Sequence, residues 1–310
     1  MPGPFHVTDP LPSGQFEPLP YGLLEVARVP ADNADPHWQR GVAFQAPCVT
    51  GATTYDECLV VTGSGGAPPA PAAKVENVDL SLRGVMPFTV YAWFDCSPVG
   101  VSGTEREQLA EQALAAVQGW QVERAVWTGV AGGRDVVFPS LDGDTAAVYA
   151  QGASTVLLQS PVVTGNSTAT DAVTGLGLLE GMLADCHTGV GVVHVPQKAL
   201  PTLWPLLKPQ GGRLKTLGGF DVAVGAGYPG TGPGGSDPGE GAAWLYGTGP
   251  VFAYRGDRLS IREPRDALDR ANNTLSLLAE RTFAVGWGCC HFAVLVSLGA
   301  NSAGGGGVIS

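Results

Sequence analysis

Glycine and proline punctuate this chain at nearly every fourth position, 45 glycines and 25 prolines among 310 residues, so its regular elements are short and its connections many. The glycines follow no three-residue period, and 44% of the residues are hydrophobic, which excludes a collagen-like or a disordered polymer. Charged residues reach only 15%, against a usual share of about 25%, so much of the folded surface is uncharged. At roughly 100 to 200 residues per domain the length allows one large fold or two intimate ones.

Seventeen basic residues against 28 acidic ones leave a net charge of −11. Such a surface repels phosphate on average, which argues against a basic grip on nucleic acid and against docking to an anionic membrane. The opening MPGPFHVTDPLPSGQ has neither a basic region nor an apolar run, and no stretch approaches the roughly 18 apolar residues of a spanning helix. The expectation is a soluble chain that stays where it is made. Six cysteines (Cys48, Cys58, Cys96, Cys186, Cys289, Cys290) are thinly spread, which predicts reduced thiols, with Cys48 and Cys58 the one pair spaced for a bridge.

Residues 1–37 read as an extended proline-rich arm ending in a short strand over YGLLEVARV. Hairpins and loops follow, with a stiff excursion at GGAPPAPAA, and then two strands over VENVDLSLRG and MPFTVYAWFD. A long helix is predicted from Thr104, with Glu107 completing a capping box and Leu109, Ala113, Ala116, Val117 and Trp120 on one face. A second helix, capped by Thr170 or Asp171, runs to about Cys186 with Val173, Leu176, Leu179 and Leu183 on one side. GVGVVHVP has the continuous apolar character of a strand buried on both faces, and KALPTLWPLL that of a short helix between prolines. GFDVAVGAG, AAWLYGTGPVFAYRG, RLSIRE, NTLSLLAERTFAVGW and HFAVLVSLGA read as further strands. The last two are expected to form an antiparallel unit around Gly288-Cys289-Cys290. The fold class is α+β.

Chemistry has few footholds. GAGYPG (Gly225, Gly227, Gly230) fits G-x-G-x-x-G, but proline-broken TGPGGSDPGEG follows where a dinucleotide site needs a helix, so a surface loop is the expectation. Cys289 and His291 could share a strand face as ligands, yet a buried thiol pair is the simpler reading; Asp142-Gly143-Asp144 reads as a turn and His194 as a core histidine. No catalytic, cofactor-binding or metal site is assigned. Seven tryptophans and 13 arginines in a sparsely charged chain fit extensive self-association, or simply an aromatic core.

The order of these segments resembles tailed-phage major capsid proteins of the Hong Kong 97-like fold, which encapsulin shells share. PFTVYAWFDCSPVG before EREQLAEQALAAVQGWQVERAVWTG is similar to the opening of those chains. GVGVVHVPQKALPTLW, GGFDVAVGAGYPGTGP, WLYGTGPVFAYRGD and AERTFAVGWGCCHFAVLVSL are similar to the later part, so the resemblance spans most of residues 20 to 300. It implies an N-terminal arm at 1–37, an extended-loop and strand region at 38–100, a spine helix and peripheral domain at 101–170, an axial domain at 171–250, closing peripheral strands at 251–300 and a flexible tail at 301–310. It implies a non-enzymatic virion shell protein without cofactor, assembled in the host bacterial cytoplasm into pentamers and hexamers around double-stranded DNA. Its partners would be copies of itself, with portal, scaffold or decoration proteins, and no membrane. Some shells of this family weld subunits through a lysine–asparagine bond promoted by a glutamate; Lys74 with Asn272 or Asn273 are the matching candidates. The alternatives are an encapsulin compartment, or a cytosolic α+β enzyme with the 225–241 loop as a lid over His194 or Asp221.

Overall fold

The computed structural model describes residues 19–45, 82–96, 102–151, 154–186, 189–256, 260–262, 268–269, 274–288 and 290–299. The helices are α1 (Leu23–Val26), α2 (Gly103–Thr128), α3 (Ala172–Cys186) and α4 (Leu200–Leu203). The strands begin with β1 (Val42–Gln45), β2 (Leu82–Val85), β3 (Phe88–Cys96), β4 (Val130–Ala131), β5 (Arg134–Asp135) and β6 (Ala147–Gln151). They continue with β7 (Ser154–Gln159), β8 (Val163–Thr170), β9 (Val192–Pro196), β10 (Leu207–Gln210), β11 (Arg213–Thr216) and β12 (Asp221–Gly225). The last are β13 (Ala242–Thr248), β14 (Val251–Arg255), β15 (Ser260–Arg262), β16 (Leu268–Asp269), β17 (Thr274–Trp287) and β18 (His291–Ser297).

Seven strands form a central mixed sheet in the order β10, β11, β12, β9, β13, β18, β8. Its inner strands β9, β12 and β13 are buried at every residue, and since successive side chains of a strand point to opposite sides, both faces of the sheet's centre are covered. Along β13, Ala242, Trp244 and Tyr246 enter a first core, while Ala243 and Leu245 enter a second one beneath α3 and α4. Every residue of β9 is buried, as its continuous apolar run predicts. α3 is capped as expected by Asp171, whose Oδ1 accepts the Thr174 N–H at 2.9 Å. It buries Leu176, Leu179 and Leu183; Val173 faces out instead, one position beyond the buried stripe.

β17 is the axis of a second sheet. β3 lies along one side of it, and β14, β15 and β16 follow one another along the other, all antiparallel. α2 packs on this ribbon and on the first core. The helix is capped two residues before the predicted cap: Ser102 and Glu105 form the capping box, with Glu105 N–H to Ser102 Oγ at 3.2 Å and Ser102 N–H to Glu105 Oε2 at 2.7 Å. It ends at Gly129, whose φ of 75° is the left-handed conformation glycine adopts without penalty.

The expected closing pair, β17 against β18, is not a hairpin. β13 pairs with β18 up to Thr248 opposite His291, and β14 pairs with β17 from Val251 opposite Trp287. From one pair to the next, one chain advances three residues and the other four. A single two-stranded ribbon thus passes through both sheets, with a one-residue offset between its two ladders, where a reversal was expected. AAWLYGTGPVFAYRG accordingly divides into two strands of different sheets. YGLLEVARV holds one helical turn in place of a strand, with Leu23 and Val26 buried at a helical spacing.

Cys186 and Cys290 are joined by a disulfide across 104 residues of sequence, with Cα atoms 5.9 Å apart. This corrects the expectation of reduced thiols. The pairing depends on α3 ending against the start of β18, a long-range proximity absent from the cysteine spacing. Cys48 and Cys58 lie outside the described residues.

Trp127 sits at the meeting point of α2 and the central sheet. It is fully buried, donates to Thr231 Oγ1 at 2.9 Å, and has its ring centroid 4.8 Å from that of Tyr228 and 4.9 Å from that of Tyr246. Trp127→Ala is expected to cost about 3–5 kcal/mol in denaturant unfolding, and Trp127→Phe, which keeps most of the volume but loses the N–H donor, roughly 1–3 kcal/mol.

Candidate interaction surface

The stripe of α2 predicted to face the core is largely the one that faces out. Ala110, Leu114, Val122, Ala125 and Val126 are buried, whereas Ala116, Val117 and Trp120 are exposed, Trp120 by 42%. The helix is apolar on more than one side. Its second apolar side forms one wall of a groove of about 750 Å³. Leu19, Leu24 and Val29 supply the opposite wall, and Ala253 of β14 also lines it. The Arg124 guanidinium lies 5.4 Å from the Trp120 ring centroid, a cation–π contact at the rim.

A buried carboxylate holds this groove together. Glu123 is 6% exposed; its Oε1 accepts the Leu23 N–H at 3.2 Å and its Oε2 the Gly227 N–H at 3.0 Å. One side chain of α2 thereby anchors the start of α1 and the loop after β12. Burial pushes its pKa up, and the backbone N–H groups of Gly227, Leu23 and Ala226 oppose that shift by stabilising the anion. Sequence reasoning missed Glu123. The available signal was a carboxylate set among Val122, Ala125, Val126 and Trp127 of a helix.

The G-x-G-x-x-G segment has its explanation here. A Cβ on Gly227 would lie 2.1 Å from the Trp120 carbonyl oxygen, so only glycine lets this loop rest on the α2 backbone. Gly230 has φ of 80°, and the segment leads into a short 3-10 turn at Pro233–Gly235. Its spacing serves helix packing.

A second polar cluster lies where the ribbon enters the central sheet. His194 of β9 is wholly buried, with Nδ1 3.1 Å from Tyr228 Oη and Nε2 3.0 Å from Thr248 Oγ1. His291 Nε2 donates to the Leu141 carbonyl at 2.8 Å. Trp287 stands between the imidazoles, its centroid 6.5 Å from His194 and 5.4 Å from His291. Burial disfavours the imidazolium of both, holding His194 near 3, with His291 adding repulsion, and His291 near 4 despite hydrogen bonds to backbone. Asp142 is pushed up to about 7, chiefly by burial and secondarily by Asp144.

Other predicted positions do not converge. His194 is locked in the core, while Asp221 is held by Arg213 at 2.7 Å and Lys215 at 2.5 Å, and neither lines the groove. The Asp142 carbonyl accepts the Gly234 N–H at 2.7 Å, tying that acidic turn to the glycine loop. Among the described residues no group of three or more His, Cys, Asp or Glu side chains is placed to hold a metal ion. Cys289, Lys74, Asn272 and Asn273 lie outside the described residues. Trp38, Trp127, Trp244 and Trp287 are buried, and Trp93, Trp120 and Trp204 are exposed, so the tryptophans divide between core and surface.

No family model and no curated protein matches the sequence. Solved structures do match. The capsid of an empty GTA particle shares the fold with a TM-score of 0.52 and 14% identity, over 94% of this chain and 95% of that one. The capsid of a native GTA particle gives 0.50 and 12% over 94% and 96%, and a chain of Mycobacterium phage Ogopogo 0.50 and 12% over 95% and 97%. This is the fold of phage capsid proteins. The expected α+β class and the Hong Kong 97-like resemblance are borne out at the level of fold. In this capsid fold the groove beside α2 is a surface that the chain's own described residues leave open.

Gly227→Ala is expected to push the loop off α2 and cost roughly 2–4 kcal/mol, read as a lowered denaturation midpoint with an unchanged slope. The buried histidines predict a specific pH dependence. An unfolded histidine binds its proton below about 6.5 and folded His291 only near 4, so stability present above pH 6.5 is lost as the pH falls toward 4. Asp142 acts oppositely: its contribution is present below pH 3.8 and is lost as the pH rises through about 7. Comparing wild type with His291→Gln cancels the carboxylates. The stability difference between the two is expected to shift against wild type by about 3 kcal/mol between pH 6.5 and 4, measured by urea unfolding.

Proposed function

We propose that this chain is the major shell protein of a tailed double-stranded DNA phage, closing into an icosahedral head of pentamers and hexamers. The observation that carries the reading is the match to a capsid chain over 94% of this chain and 95% of the neighbour. The groove supports it. An apolar surface bounded by Leu19, Val29, Val117 and Trp120 gains stability when another chain covers it, and closed symmetry supplies such a chain at every position. A net charge of −11 suits a wall that encloses DNA without gripping it.

On this reading residues 1–37 are the arm, 38–100 the extended-loop and strand region, and 101–170 the spine helix, which is α2, with peripheral structure. Residues 171–250 are axial, 251–300 return to the periphery, and 301–310 are a tail. The role is structural, the location is the virion after assembly in the host cytoplasm, and portal, scaffold or decoration proteins are its further partners. Lys74 with Asn272 or Asn273 remains the candidate pair for welding subunits; boiling assembled particles in detergent and recovering only monomer would discard it.

Electron microscopy and light scattering of the purified chain are expected to show closed particles or rings. Nuclease-resistant DNA within particles from infected cells would separate a phage head from a protein-filled compartment. Trp120→Asp places a charge in the groove outside the chain's own core, and is expected to lower the assembled fraction at least about tenfold while moving the subunit's melting temperature by less than about 2 °C. Dispersed small species under every salt condition would overturn the proposal.

A further inference from the structure

The two sulfurs of the Cys186–Cys290 bond have unequal surroundings. Cys290 is 1% exposed and packs in the second core with Leu179, Leu183 and Val294. Cys186 is the last residue of α3 and only partly buried at the rim of that core. The Cα separation of 5.9 Å falls within the span that a disulfide bridges without moving the backbone, about 4.4–6.8 Å. The geometry is set by the end of α3 and the residue before β18.

We infer that Cys186 and Cys290 form an oxidative modification site with one open and one guarded sulfur, whose bond, once closed, withstands thiol reductants for as long as the chain stays folded. Closure takes two exchanges with a low-molecular-weight disulfide such as oxidised glutathione. The Cys186 thiolate attacks that disulfide and releases one glutathione thiolate, leaving a mixed disulfide on Cys186. The Cys290 thiolate then attacks the Cys186 sulfur and expels the second glutathione. The two protein thiols lose two electrons and two protons, and the glutathione disulfide takes up both to become two glutathione molecules.

Opening is the harder direction. Of the two residues Cys186 is the one with surface to offer a reductant thiolate, and attack on its sulfur must expel the Cys290 thiolate into an apolar core. Burial raises the pKa of such a thiol and makes it a poor leaving group. Attack on the Cys290 sulfur is blocked by packing. Reduction therefore waits for local opening around the end of α3. A chain made in a reducing cytosol folds as the dithiol and acquires the bond on meeting an oxidising medium, where a closed loop spanning 104 residues restricts its unfolded ensemble. This inference does not rest on the shell reading, since it concerns one chain.

The full-length protein, purified with reductant, is treated with oxidised glutathione, its remaining thiols are blocked, and its peptides are mapped without reduction. The expected bridge is Cys186 to Cys290. Dithiothreitol is then expected to open that bridge on the order of 100-fold more slowly in the native protein than in concentrated urea. The bridged protein is expected to melt roughly 4–8 °C above Cys186→Ser, a variant altered only at the core rim. Free thiols at both positions after oxidation, or either residue bridged to Cys289, would overturn the site. Equal reduction rates in native protein and in urea would overturn the guarding, and that measurement needs no variant.

Discussion

A sheet with apolar side chains on both faces has to be covered twice, and that requirement organises this molecule. β9, β12, β13 and β18 alternate their residues between two cores. α3 and α4 close one side. The other is closed by Trp127, Tyr228, Trp287 and the elements they belong to, which brings α2 and the ribbon against the sheet. The aromatic density near Trp127 follows from this: a wide gap between sheet and helix is filled most economically by large rings. His194 and His291, caught in that gap, each find a hydrogen-bond partner.

Glu123 shows how the same gap is fastened at its edge. A carboxylate taking N–H groups from two distant segments does what a strand ladder does elsewhere, but at a single point. It allows the Leu19–Val29 segment to lie beside α2 without pairing along it, and the space left between them is the groove. Gly227 is the complementary condition. Any larger residue there would lift the loop from the helix and take with it one of the two donors that keep the carboxylate satisfied.

Elements whose burial is complete were legible from residues alone. GVGVVHVP could only be an interior strand, and Asp171 with Leu176, Leu179 and Leu183 defined α3. The start of α2 was ambiguous for a physical reason: Ser102 with Glu105 and Thr104 with Glu107 are both competent capping boxes, and the chain uses the first. Its inner face could not be chosen, because apolar residues cover more than one side and only tertiary packing selects between them. β7 and β8 were overlooked since their serines, threonines and asparagine resemble loop, and β6, only five residues long, was passed over with them; β8 is mostly exposed and is held as an edge strand by β18, over a hundred residues away. The candidate surface was half visible, with Val117 and Trp120 singled out for the wrong partner and Glu123 unseen.

Because the β13–β18 ladder continues as the β14–β17 ladder with one residue of offset, the two sheets are not hinged on a loose linker. They are segments of one twisted strip. Rotating one sheet about the strip axis imposes torque on the other through paired backbone. The angle between two sheets joined in this way is a property of the strip's own twist, and no strand has to leave its sheet for one to meet the other.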